Sequence, residues 1–147
     1  MLTIQCKTKT SSANRHGFSI EIEHFAGAMG LTLYYIANGK YVQVDMNCDL
    51  ENCERKTLYK RELSAKESDD LFKKLQALKL DTLKKSYRPD GMVLDGLVSS
   101  IKVHGPDLAN SEISIDNVNL PTTDSLYQII DKFVLTKKYQ FHHFGQE

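Results

Sequence analysis

The stretch from Leu63 to Lys79 decides how the rest of the chain can pack, and it reads LSAKESDDLFKKLQALK. Ser64 is followed three residues later by Glu67. At this spacing a hydroxyl and a carboxylate satisfy each other's exposed backbone N–H groups at a helix start. Apolar residues then recur at i, i+1, i+4 and i+7, at Leu71, Phe72, Leu75 and Leu78. Charged and polar side chains fill the opposite side, so the pattern predicts an amphipathic helix laid on a hydrophobic core.

The composition is that of an ordinary globular domain. The chain has 147 residues, of which 41% are hydrophobic and 26% charged, and 19 Lys plus Arg balance 19 Asp plus Glu. This length fits one domain that buries about two thirds of its unfolded surface. A net charge of zero creates no overall field that would gather nucleic acid or an anionic membrane, so any electrostatic function must be local.

The sequence also predicts a compartment. No apolar run approaches the roughly 18 residues of a membrane span, and the N-terminal residues lack the pattern of a secretory signal. Cys6, Cys48 and Cys53 make an odd count, and no second Cys or His pair stands at zinc-ligand spacing. We therefore expect free thiols, no bound metal and a cytoplasmic protein. No Gly-rich phosphate loop is present, and we expect no cofactor.

Alternating apolar and polar residues predict strands before the helix. Leu2 to Cys6 and Phe18 to Glu23 alternate in this way. Asn38-Gly39 separates two further apolar runs, which predicts a hairpin with a type I′ turn whose two central residues both have positive φ. Lys56 to Glu62 mixes apolar residues with charges, as an exposed edge strand does.

Two more elements are predicted after the helix. Leu97 to His104 and Ile113 to Asp116 alternate on either side of a turn, which indicates a second long hairpin. Pro121 and Thr122-Thr123-Asp124 open a final helix in which a Thr is the N-cap. The apolar stripe of this helix consists of Leu126, Ile129, Ile130, Phe133 and Val134.

The order of these elements predicts the fold class. Strands, a helix, a strand hairpin and a helix favour a single α+β domain over residues 1–147. In it an antiparallel sheet of hairpins carries two amphipathic α-helices on one face. The aromatic tail at 139–147 either folds back onto the core or docks a partner, and the sequence leaves both open.

Candidate catalytic residues are few. None of the five histidines stands at a metal-ligand spacing. His104 and His142 or His143, with Lys102 for the phosphate, would have to converge to form a metal-independent nuclease. Ser99 and Ser100 lack a G-x-S-x-G elbow and are most simply the polar filling of one strand face. We therefore expect no catalytic residues and a protein that is not an enzyme.

A local cluster of carboxylates is the clearest candidate binding site. The stretch 45–54 carries four acidic residues and no Lys or Arg, and it should leave a strand as an exposed loop. The acidic residues are Asp45, Asp49, Glu51 and Glu54. Such a cluster either is solvated or faces a basic partner, because carboxylates steer and pair with Arg and Lys.

In size, in its lack of a signal pattern and in its sheet-plus-helix layout, the chain resembles the small immunity proteins that bacteria make against toxins. These include the immunity proteins of contact-dependent growth inhibition systems. The resemblance implies that the chain binds one cognate toxin domain, often a basic nuclease, and blocks its active site or its access to substrate. From the balanced charge and the lack of an apolar span we expect no direct contact to nucleic acid or membrane. Asp45, Asp49, Glu51 and Glu54 would then stand in for nucleic-acid phosphates.

Two alternatives stay open. One is a small nuclease or hydrolase that uses His104 and His142. The other is a regulatory subunit that docks into a larger assembly through the tail at 139–147.

Overall fold

A computed structural model describes residues 17–26, 30–48, 54–90, 97–105, 108, 110–116, 118 and 120–144. These residues form one seven-stranded sheet and two α-helices, which confirms the α+β prediction. The strands are β1 Ser19–Ala26, β2 Leu31–Asn38, β3 Tyr41–Cys48, β4 Lys56–Glu62, β5 Ser86–Tyr87, β6 Leu97–His104 and β7 Ser111–Asp116. The helices are α1 Ala65–Ala77 and α2 Pro121–Phe133, and shorter 3-10 helices lie at Leu80–Thr82, Lys137–Tyr139 and Phe141–His143.

The strands follow the order β4-β3-β2-β1-β6-β7-β5 across the sheet. Each neighbouring pair is antiparallel except β5 and β7, which are parallel. β4 lies at one edge, as its mixture of apolar and charged residues predicts. β5 has only two residues and was not predicted, because so short a segment shows no periodicity. The predicted strand from Leu2 to Cys6 lies outside the described residues.

The hydrophobic core lies between one face of the sheet and the two helices. Along β1, Ile20 and Ile22 are fully buried, and Glu21 and Glu23 alternate with them on the other face. α1 contributes Leu71, Phe72 and Leu75 to this core, and α2 contributes Leu126, Ile130 and Phe133. The amphipathic stripes predicted for both helices are therefore confirmed.

The capping box predicted for α1 is present. The Glu67 N–H donates to the Ser64 hydroxyl and the Ser64 N–H donates to the Glu67 carboxylate, each at 3.1 Å. Arg61 of β4 forms an ion pair with Glu67 at 2.8 Å and donates to the Phe133 carbonyl at 2.9 Å. One side chain thus joins β4 to both helices. The chain leaves α1 through Lys79, whose φ of 51° lies in the left-handed region.

The Asn38-Gly39 hairpin is confirmed, but the predicted turn type is wrong. Neither Asn38 nor Gly39 has a positive φ. Asn38 instead occupies the first turn position, and its side-chain oxygen accepts the N–H groups of Lys40 at 2.8 Å and Tyr41 at 2.9 Å. The side chain therefore closes the turn as an Asx turn, which does not require the mirror-image backbone.

The predicted Thr cap of α2 is also wrong. The N-cap is Leu120, which makes no side-chain hydrogen bond, and Pro121 occupies the start of the helix. Proline suits this position because its missing N–H would have had no partner within the helix. Thr122 and Thr123 lie inside the first turn of the helix, so neither can be its N-cap.

The expectation of free thiols is wrong for Cys48. This residue ends β3 and is disulfide-bonded, with a partner outside the described residues. An odd cysteine count argues against a framework of several bridges, but it does not prevent one bridge.

Candidate functional site

The face of the sheet opposite the helices, here called the outer face, exposes a pair of apolar side chains. Phe25 of β1 lies directly across from Val98 of β6. The two residues are 40% and 37% exposed, whereas Ile22 and Ile101 on the core-facing side of the same strands are buried. Aromatic residues are enriched in the cores of protein–protein interfaces, so this exposed pair is a candidate contact for a partner.

An arginine organises the charged part of the outer face. The Arg55 guanidinium bonds to Asp45 at 2.8 Å and to Glu21 at 2.9 Å. It also lies 3.7 Å from the ring centroid of Tyr34. Gln43 donates a further hydrogen bond to Asp45 at 2.8 Å. A planar guanidinium suits this role because it binds carboxylates through several N–H groups while its face stacks on an aromatic ring.

The electrostatics of Arg55 follow from these contacts. Partial burial lowers the pKa of the guanidinium, but the hydrogen bonds and negative charges of Glu21 and Asp45 outweigh burial and raise it. Arg55 therefore stays charged and joins three strands, since Glu21, Tyr34 and Asp45 belong to β1, β2 and β3.

The predicted acidic contacts are placed unequally. Asp45 lies on the outer face, opposite Tyr34, and only 5% of it is exposed. Glu54 is exposed. Asp49 and Glu51 lie outside the described residues. The sequence reasoning missed Arg55 because it ended the acidic stretch at position 54, one residue before the cation that pairs with Asp45. That the four carboxylates contact a partner stays a prediction.

Among the described residues of the strands and of the segment just before β4, the outer face carries more negative than positive charge. Strand alternation and register place these carboxylates on it: Glu21, Glu23, Asp45, Glu62, Glu112 and Asp116. The cations that accompany them are Arg55, Lys60 and Lys102. Although the net charge of the chain is zero, this face is acidic and would attract a basic surface.

The structure does not bring His104 and His142 together. His104 pairs with Ser19 at one end of β1, whereas His24, five residues along the strand, contacts Phe141 beside His142. Five residues of strand span about 17 Å. The exposed His104 side chain also points to the outer face, because Val103 before it is buried in the core. The ring nitrogens of His142 bond to Asp124 and Asp131 instead.

Ser99 belongs to a buried polar chain rather than to the outer face. Its hydroxyl is 2.9 Å from His24 Nδ1 and 3.0 Å from the Tyr127 hydroxyl. Burial lowers the pKa of His24 and, despite the bond to Ser99, raises that of Tyr127 to about 12, so both are neutral at pH 7. Phe141 stacks on Tyr127 at 3.5 Å. The interpretation of Ser99 as simple polar filling of a strand face is therefore wrong, since it joins two strands and α2 inside the core.

Other kinds of site were sought in the same part of the chain. The described residues contain no group of His, Cys, Asp and Glu side chains suited to hold a metal ion. None of the helices described there is long and apolar enough to cross a membrane. A shallow depression of about 230 Å³ at the end of α1 is lined by Leu75, Gln76, Lys79, Leu80, Asp81 and Leu108.

Comparison of the chain with protein-family models, with curated proteins and with solved structures finds no match.

Proposed function

We propose that the chain is a protein-binding module that engages a basic partner through the outer face of its sheet. One observation carries this proposal. The register places the exposed Phe25 and Val98 side by side on the same face as Asp45 and an excess of carboxylates. An apolar centre with a charged surround is the usual arrangement of a specific protein interface.

The two parts of this face would act differently in binding. Phe25 would bury apolar area against the partner, and aromatic anchors of this kind account for most of the affinity of many interfaces. The surrounding carboxylates would speed association and select a basic surface. Because Arg55 already neutralises much of the Asp45 charge, a basic side chain of the partner would have to share that carboxylate or replace Arg55.

The finer proposal is that the partner is a toxin domain and the chain is its immunity protein. The acidic outer face supports a basic partner, and a basic nuclease domain is one such partner. Asp45, Asp49, Glu51 and Glu54 are the proposed contacts. The cytoplasmic location belongs to the same proposal, and the disulfide of Cys48 weighs against it because disulfides persist mainly in oxidising compartments. If that disulfide forms in the cell, the chain would meet its partner in an oxidising compartment rather than in the cytoplasm.

The test first captures the partner from the native cells on the tagged chain. The partner is then produced as a recombinant domain, and its affinity for the chain is measured. Phe25→Asp should weaken binding at least about 30-fold, the effect of losing one interface anchor of about 2 kcal/mol. Leu135→Asp is the matched control, since Leu135 is 67% exposed and follows α2, away from the outer face. It should leave the affinity unchanged.

The carboxylates are tested separately with one variant that combines Asp45→Asn, Asp49→Asn, Glu51→Gln and Glu54→Gln. Association should slow and depend less on salt, because steering by charge acts mainly on the association rate. Expression of the partner alone should stop growth, and coexpression of the chain should restore it. A folded Phe25→Asp variant that binds as tightly as the wild type would refute the outer-face proposal. A partner that is harmless when expressed would refute only the immunity role.

A further inference from the structure

The C-terminal strap, residues 137–144, folds back over α2 and covers a cluster of aromatic rings. Phe141 lies parallel to Tyr127 with centroids 3.5 Å apart, and its edge contacts are His24 at 4.9 Å and Tyr35 at 5.5 Å. The Gln140 side chain donates to the carbonyls of Asp131 and Val134 at the end of α2. The strap thus closes one end of the core.

Asp131 is the anchor of the strap. Its nearly buried carboxylate accepts the Phe141 N–H at 2.6 Å and the His142 N–H at 3.1 Å. A third bond joins it to His142 Nδ1 at 2.7 Å. Asp131 lies in the last turn of α2, where the helix dipole disfavours a negative charge. The donors of the strap, and above all a cation, offset that unfavourable position.

His142 lies between two carboxylates on the same side of α2. Nδ1 bonds to Asp131 at 2.7 Å, and Nε2 bonds to Asp124 at 3.1 Å. A neutral imidazole has one N–H, so it can donate to only one of them and must turn a lone pair toward the other. The imidazolium has two N–H groups and satisfies both carboxylates. The geometry therefore fits the charged ring.

The surroundings of His142 favour the same protonation state. Partial burial lowers its pKa, but hydrogen bonds to Asp124 and Asp131 and the charges of those carboxylates outweigh burial, so the pKa is raised above 6.5. His24, under Phe141, has a lowered pKa and adds no positive charge at pH 7. The titratable groups around the ring are Asp124, Tyr127 and Asp131 of α2, His143 beside it, and His24 and Tyr35 of the sheet beneath Phe141.

We propose that His142 is a pH-operated latch, which holds the strap closed over the aromatic cluster when protonated and loosens it when neutral. Deprotonation removes one of the two hydrogen bonds to α2 and leaves a ring lone pair facing a carboxylate. The raised pKa sets the direction of the pH dependence. The stabilisation of the closed strap by protonated His142 is complete below pH 6.5 and disappears as pH rises through the folded-state pKa. The strap therefore opens more often at alkaline than at mildly acidic pH.

The test is hydrogen exchange of the Phe141 and His142 amides, followed by NMR from pH 6 to pH 9 and corrected for intrinsic exchange. Wild-type protection of these amides should fall about three- to tenfold over this range relative to amides of α1, a small effect because the ring is partly exposed. His142→Gln should abolish this pH dependence. His143→Gln, which removes the neighbouring imidazole, is the matched control and should preserve it.

Asp124→Asn keeps the fold, because Asp124 is exposed, and tests the second carboxylate. It should lower the pKa of His142, measured from the pH dependence of the ring carbon shifts, and reduce the loss of protection. Two results would overturn the latch: strap protection that does not change with pH in the wild type, or the same pH dependence in His142→Gln. Neither result would bear on binding through the outer face.

Discussion

At the scale of single residues, two buried tyrosines on the same core surface differ in one hydrogen bond. The Tyr127 hydroxyl bonds to Ser99 at 3.0 Å, whereas the Tyr35 hydroxyl has no partner among the described residues. Burial raises the pKa of both, and for Tyr35 the negative charge of Asp131 raises it further. A buried hydroxyl without a partner has given up its bonds to water without replacing them.

This difference predicts opposite effects of removing the two hydroxyls. Tyr127→Phe should lower the free energy of unfolding by about 1 kcal/mol or more, because the Ser99–His24 pair loses a partner. Tyr35→Phe should leave it unchanged or raise it by up to about 1 kcal/mol. Urea denaturation at pH 7 measures both. A loss of more than about 1 kcal/mol in Tyr35→Phe would show that its hydroxyl has a partner after all.

At the scale of elements, α1 depends on its N-terminal capping box and on the ion pair that joins it to β4. The hydrogen bond with the Ser64 backbone is the main cause of a lowered Glu67 pKa, and the charge of Arg61 adds to it despite some opposing desolvation. A carboxyl whose pKa is lower in the folded than in the unfolded protein stabilises the fold at pH values above its unfolded pKa of about 4.5. This stabilisation is lost as pH falls through the folded-state pKa.

Two variants of this box should therefore respond differently to pH. Ser64→Ala should cost about 1 kcal/mol, because the Glu67 N–H loses its acceptor. Glu67→Gln should be destabilising at pH 7 and less so near pH 3, because the wild-type carboxyl loses its charge as pH falls through its lowered pKa. Thermal unfolding at both pH values measures this. Asp70→Asn, which removes only an exposed pair with Lys74, is the control and should change stability by less than about 0.5 kcal/mol. An equal deficit of Glu67→Gln at both pH values would exclude a role for its charge.

At the scale of the whole molecule, the disulfide of Cys48 is the feature that departs most from the sequence expectation. It lies at the end of β3, the strand that carries Asp45. Disulfides persist mainly where thiols are oxidised, so this bridge bears on where a partner is met.

A thiol count tests the disulfide directly. The unfolded, unreduced protein should show one reactive thiol, and the reduced protein should show three, since the chain has three cysteines. Alkylation followed by mass spectrometry gives both numbers. Cys48→Ser cannot form the bridge. In this variant the unreduced and the reduced protein should therefore show the same number of reactive thiols. Three reactive thiols in protein purified under air would show that the bridge does not form.

Much of the fold could be predicted because its signals are local. The capping box of α1 spans Ser64 to Glu67, and the hairpin at Asn38-Gly39 joins strands that are neighbours in sequence. Their outcomes depend on backbone chemistry within a few residues, which periodicity and turn residues record. Even there, the predictions of the turn type at Asn38-Gly39 and of the N-cap of α2 are wrong, because the Asn38 side chain closes the turn and Pro121 begins the helix.

The candidate sites could be predicted much less. Asp45 was identified by its charge, but its pairing with Arg55, and that of Arg55 with Glu21 34 residues away, was not. Phe25 and Val98 were not identified as a pair, because only the sheet order places β1 beside β6. His142 was considered as a partner of His104, and the fold gave it Asp124 and Asp131 instead.

The sequence by itself determined the two amphipathic helices, the two hairpins, the edge position of β4 and the α+β class, since each follows from spacing along the chain. The tertiary structure alone decided which residues share the outer face, that β5 pairs in parallel with β7, and that the C-terminal strap closes on Asp131. The physical reason is distance along the chain: contacts such as His24 with Ser99, 75 residues apart, form only when the whole core assembles, and no local pattern specifies them.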